Sequence, residues 1–211
     1  MRSVFKPWAV SAMAVAVLFC AGCSQSTPAG DASGAAKQSA APPQLVSAKT
    51  AFWPMNRAAM AWSPDVLFLG ITAKDVPGFT NEAGKAAMWQ ATFGSPHLRK
   101  YRIDSYAIAT VLPDIHKGPV AGLGLTWGGA TRDAMPIDPS TFNVDSDAAY
   151  AAAATDAADW LKKNPDKKLS SMGLGNAYKF QKPVWYVVWG DQKSGGYIAY
   201  VDAITGKVLK K

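Results

Sequence analysis

Val184-Trp185-Tyr186-Val187-Val188-Trp189-Gly190 decides the fold, because it has an echo in Met88-Trp89-Gln90-Ala91-Thr92-Phe93-Gly94. In that register Trp89 lies over Trp185, Phe93 over Trp189 and Gly94 over Gly190. Carried on without a gap, Tyr101 meets Tyr197, Ala107 meets Ala203 and Ile108 meets Ile204. Aromatic residues and a turn glycine in register point to a duplication, and such self-similarity comes before any assignment of elements. Each copy brackets turn residues with apolar runs, around Gly94-Ser95-Pro96-His97 and around the segment from Gly190 to Gly196. Both read as β-hairpins, because glycine and its neighbours accept the turn geometry that β-branched and aromatic runs resist.

A helix is expected before each hairpin. In the second copy Asp145-Ser146-Asp147 offers side-chain caps, and AAYAAAATDAADWLKK runs on to Asn164-Pro165, which ends it. Tyr150, Ala154, Ala157 and Leu161 fall on one face at helical spacing, with Trp160 flanking it. In the first copy the matching helix spans about Ser47 to Trp62, where Pro54 predicts a kink or a late start. Val66-Leu67-Phe68-Leu69-Gly70-Ile71 then reads as a short apolar strand. The expected fold is α+β, two helix-plus-antiparallel-sheet repeats at 47–112 and 145–211. A Gly/Pro-rich connector, 113–144, links or covers the sheets.

The chain opens with MRSVFKPWAVSAMAVAVLFCAGC: a basic start at Arg2 and Lys6, an apolar run from Trp8 to Cys20, then small residues. That order is a secretory signal peptide, too short for a comfortable membrane span of about 20 apolar residues. Cys20-Ala21-Gly22-Cys23 resembles the lipobox of bacterial lipoproteins. The resemblance implies removal of 1–22 and acylation of Cys23; plain cleavage, giving a soluble exported protein, is the alternative. With Ser24 after the cysteine, the lipoprotein pattern implies the outer membrane, facing the periplasm. Residues 23–46 are rich in Ala, Ser, Gly, Gln and Pro and lack aromatics, so a flexible tether is expected there.

Composition narrows the chemistry. In 211 residues there are 22 Lys and Arg against 15 Asp and Glu, a formal net charge of +7. Outside the cytoplasm this mild excess suits solubility or anionic lipid rather than nucleic acid. Glutamate occurs once, as Glu82, histidine only as His97 and His116, and cysteine only as Cys20 and Cys23. No metal site or cofactor is expected from so few ligands, and no G-x-S-x-G or H-E-x-x-H element accompanies the histidines. Asp145 and Asp147 are better explained as helix caps than as cation ligands. Asp104 is assigned to a solvated strand face, and Asp202 to an Asx-type turn. Trp89, Trp127, Trp185 and Trp189 are candidates for lining a peptide or sugar groove. Their alternation along strands argues at least as strongly for a core, which is the favoured reading.

Residues Tyr197 to Lys210, YIAYVDAITGKVLK, resemble the closing hairpin of the PepSY module, a small helix-plus-sheet unit of bacterial envelope and secreted proteins. Asp202, Thr205 and Gly206 match its strand-turn-strand ending, with Gly206 where a tight turn needs positive φ. The likeness reaches back to about Asp145, and through the internal repeat to a divergent copy at 47–112. It implies a non-enzymatic protein that binds or regulates a protein or peptide partner, such as a peptidase. Carbohydrate or envelope-polymer binding on the tryptophans is the alternative, and a hydrolase built on His97 or His116 a third.

Overall fold

The computed structural model describes residues 43–176, 179–191 and 195–210. The expected leader, Cys23 and the tether up to residue 42 lie outside the described residues. The first helix, α1 (Ala48–Trp62), does not start late: it begins at Ala48 and runs through Pro54. Pro54 gives no N–H to the carbonyl four residues back, so one rung is forgone. What holds the helix is its buried stripe of Ala48, Ala51, Phe52, Met55 and Ala59. Phe52 lies 4.6 Å from Phe68 and 6.3 Å from Phe93, centroid to centroid.

Three strands follow, β1 (Leu67–Lys74), β2 (Met88–Ser95) and β3 (Lys100–Ala107), then two short ones, β4 (Gly118–Val120) and β5 (Leu125–Thr126). The second half again places helices before strands. α2 (Ser146–Asp156) and α3 (Ala158–Lys163) are followed by β6 (Leu169–Gly175), β7 (Val184–Trp189), β8 (Tyr197–Asp202) and β9 (Val208–Leu209). All pairings between these strands are antiparallel, in the order β4-β3-β2-β1-β6-β7-β8-β9, with β5 also on β3. The fold is therefore α+β, with helices over one face of a large antiparallel sheet. Everything described falls within one compact unit, residues 41–211, joined at its centre by β1 and β6.

Register sorts the side chains. Trp89, Ala91 and Phe93 of β2 and Trp185, Val187 and Trp189 of β7 point under the helices, where each is 2% exposed or less. On the other face Gln90, Thr72, Gly173, Tyr186 and Tyr200 form a row across five strands. No helix covers that face among the described residues, and Thr72 Oγ1 and Tyr186 OH meet there at 3.1 Å. Antiparallel sheets tolerate one wet face, and the half-polar residues here fit that role.

Three expectations need correction. The second helix breaks at Ala157 into α2 and α3, and its buried stripe is Ser146, Ala149, Ala153 and Ala157. Tyr150, Ala154 and Leu161 flank that stripe half-buried, because alanines let the helix approach the bulky Trp185 and Trp189 below. The connector does more than link: its β4 and β5 extend the sheet, while Ile137 N donates to Phe68 O and Met135 N to Asn176 O. The expected tether also ends early, since Val46 pairs with Ala86 through two backbone hydrogen bonds. Among the described residues no helix is long and apolar enough to cross a membrane.

Candidate functional site

The tryptophans divide. The rings of Trp89 and Trp185 meet edge-on at 6.4 Å, and both residues are 0% exposed. Trp89 Nε1 donates to Val46 O at 2.9 Å and Trp185 Nε1 to Val144 O at 3.0 Å, each tying its strand to the residues just before a helix. Trp189 is buried beside Tyr150 and Tyr197. These three candidate ligand-binding residues are core, with no ring face open to a sugar. Trp127 alone of the four is half-exposed; it lies on the opposite sheet face, over Gly94, beside a cleft with Leu67, Pro96 and Arg99. A Cβ at Gly94 would sit 2.8 Å from the Trp127 ring, so the glycine is what lets the indole lie flat on the sheet.

The closing turn behaves as expected. Asp202 Oδ1 accepts from the N–H of Ile204 and of Thr205, the Asx arrangement, and Gly206 has φ +73°. Oδ2 takes Lys182 Nζ at 2.9 Å. Burial pushes this carboxyl up, but Lys182 and the two N–H groups together hold it below the usual range.

This turn leads into β9, which pairs only Tyr200 and Val201 of β8. Among the described residues no strand pairs with Tyr197, Ile198 or Ala199 on that side. Asp202 exchanges both its backbone groups with the turn to β9, donating to Lys207 O and accepting from Gly206 N. By alternation Ile198 turns its N–H and C=O outward too. A hollow of about 240 Å³ lies along this edge, reaching Gly196, Leu209, Asp156 and Lys210. At its side Asp156, the last residue of α2, accepts from Lys210 Nζ at 2.6 Å and Tyr197 OH at 2.7 Å. Those two bonds, Lys210 first, hold the Asp156 carboxyl below its usual range; the bond to Asp156 raises Tyr197. Among the described residues this strand edge is bare, with both charge signs beside it.

A second hollow, about 140 Å³, opens on the wet face between Phe180, Tyr186, Tyr200, Val184, Gly175 and Asp133. Phe180 and Tyr200 stand 4.9 Å apart, and Lys179 Nζ approaches both rings. The sequence contained these aromatics, but only the sheet register brings Tyr186 and Tyr200 side by side.

Polar clusters elsewhere are structural. Asp65 accepts from Ser63 Oγ, Ser95 Oγ and His97 N, which clasps the end of α1 to the β2–β3 turn. In that order these bonds lower its pKa to about 2. His97 contributes its backbone there, and both serines are 2% exposed or less, so no base faces a nucleophile in this cluster. Asp104 does not lie on a solvated face. Its strand position pairs with Ala91, which points it under α1, where it is 1% exposed and salt-bridged to Arg102 at 2.9 Å. Gly122 N also donates to it, and Arg102 covers Trp62. Burial raises Asp104 despite both partners. Asp145 caps α2 as expected and also accepts from Lys49 N, while Ser146 Oγ accepts from Ala48 N. Among the described residues no three His, Cys, Asp or Glu side chains converge as a metal site.

Comparison of the chain with family models, with curated proteins and with solved structures gives no match.

Proposed function

We propose that this is a non-enzymatic, lipid-anchored cell-envelope protein that binds an extended segment of a protein or peptide partner along the bare edge of β8. The observation that carries the reading is that edge: Ile198 offers a backbone donor and acceptor beside a hollow with Asp156 and Lys210. Such an edge takes a partner strand through main-chain hydrogen bonds, with side-chain pockets adding specificity. The anchor is Cys23, the setting the periplasmic side of the outer membrane, and a peptidase is one partner class; a soluble periplasmic form is the alternative setting.

In the same proposal the chain is two PepSY-like αβ copies sharing one sheet. Support comes from a strand order that mirrors itself about β1 and β6, and from the matched roles of Trp89 and Trp185. A bulge near the start of both β1 and β6 adds to it.

The test replaces Ile198 by proline in fragment 41–211, the compact unit that holds the whole described core. Proline is tolerated on edge strands but removes the outward N–H. A photo-crosslinker at Lys210 should capture a periplasmic protein or peptide with wild type, and Ile198→Pro should abolish capture while leaving the fold intact. Equal capture by both would refute strand addition. A second reading, glycan binding, is favoured by the Phe180–Tyr200 hollow with Asp133. It expects Tyr200→Ala, rather than Ile198→Pro, to abolish fluorescence quenching by envelope glycans.

A further inference from the structure

We infer that the opposite edge of the sheet, built from β3, β4 and β5, rests on an anionic lipid surface. The register gathers its side chains. Ser105 pairs with Val120 and Tyr101 with Leu125, so Val120, Leu125 and the intervening Ile103 share the helix-free face. Leu123 stands in the loop between β4 and β5, 84% exposed, and Leu98 lies in the β2–β3 turn. Leu125 and Ile103 are 49% and 42% exposed. Exposed aliphatic groups scattered singly mean little, but a cluster at one edge marks an interaction surface.

Charge selects the partner. From Ala83 to Arg132 the only acids are Asp104 and the exposed Asp114, and Asp65 places one further carboxylate at the β2–β3 turn, bonded to Ser63, Ser95 and the His97 N–H. Asp104 is buried and paired with Arg102, so it leaves no negative charge at the surface. Arg99 and Lys100 flank the leucines at one end and Lys117 at the other, and no ion pair among the described residues holds any of the three. Arg99 lies beside Trp127, whose backbone N–H donates to Arg99 O. Leucines bordered by cations and an indole match the polarity of an anionic interface: apolar groups enter the acyl boundary while arginine and lysine meet the headgroups.

Strand addition fits this edge poorly. Pro119 has no N–H to give Tyr106 opposite, so the pair is of the non-hydrogen-bonded kind and its absent donor faces outward. An incoming strand would find that donor missing from the outermost strand, which is how natural edges resist pairing. A bilayer needs no backbone partner.

The inference rests on the envelope reading only for the presence of a membrane, and it lies at the far edge of the sheet from β8. Fragment 41–211 is sedimented with vesicles of phosphatidylcholine alone or with added phosphatidylglycerol. Wild type should bind the anionic vesicles, and high salt should weaken binding. Arg99→Gln with Lys100→Gln should cost about fivefold per charge and flatten the salt dependence. Leu123→Ser with Leu125→Ser should cost about tenfold. Near-UV circular dichroism from the buried tryptophans reports whether each variant is folded; if the serine pair unfolds, the charge pair decides alone. Absence of binding by folded wild type, or unchanged binding by the charge variant, overturns the inference. So does self-association that the serine pair abolishes while vesicle binding persists, since the edge would then join two copies. Ile198→Pro should leave vesicle binding unchanged, so each edge fails or stands on its own.

Discussion

Removing one partner of the buried Arg102–Asp104 pair should destabilise this protein more than any surface change. Arg102 is 7% exposed at its side chain and Asp104 1%, so Arg102→Met strands a carboxylate under α1. A buried ion left without its partner costs about 3–5 kcal/mol. The pH dependence follows from the direction of the shift. Burial makes Asp104 in the folded chain hold its proton above the ordinary carboxylate value of 3.8. Between that value and its raised native one, the folded state binds more protons than the unfolded chain, and stability falls as pH rises. Loss of Arg102 raises the native value further and widens that window. Urea unfolding of fragment 41–211, followed by tryptophan fluorescence, should therefore show the full loss at pH 7 and a smaller one near pH 4. Arg102→Met with Asp104→Leu removes both charges and should recover most of the loss. What remains is the Gly122 N–H without its acceptor, about 1–3 kcal/mol. A loss below about 1 kcal/mol at pH 7, or an equal loss at both pH values, would refute the reasoning.

Two further outcomes are expected. Asp65, at about 2, lies below its unfolded value of 3.8, so its stabilisation is complete above about pH 4 and disappears as pH falls towards 2. The stability difference between wild type and Asp65→Asn should shrink over that window; a constant difference would show the clasp to be uncharged in effect. Trp89→Phe and Trp185→Phe each delete an indole hydrogen bond to the carbonyl before a helix and should cost about 1–3 kcal/mol apiece. Losses differing by more than about 2 kcal/mol in urea unfolding would argue against equivalent roles.

Local pattern carried far here. The hairpin around Gly94, the helix ending at Trp62, the cap at Asp145 and the turn at Asp202 and Gly206 all depend on residues close in sequence. Turn geometry, capping and periodicity act over a few residues, so they are legible in order. The paired aromatic registers at Trp89 and Trp185 likewise set which strand faces are apolar.

The tertiary structure decided whatever depended on which strand lies beside which. Pairing of β1 with β6 makes one sheet and gathers the cores of both halves into one. Pairing of β3 with β2 turns Asp104 under the helix, where an alternating strand pattern alone had suggested solvent. The meeting of two helix starts lets Asp145 cap both. Tyr186 beside Tyr200, Ile103 between Val120 and Leu125, and the half of β8 that no other described strand pairs on its outer side arise the same way. A strand's two faces are written in its own alternation. Which face meets a helix, and which neighbour completes an edge, is settled only when distant segments compete to bury the same aromatic surface.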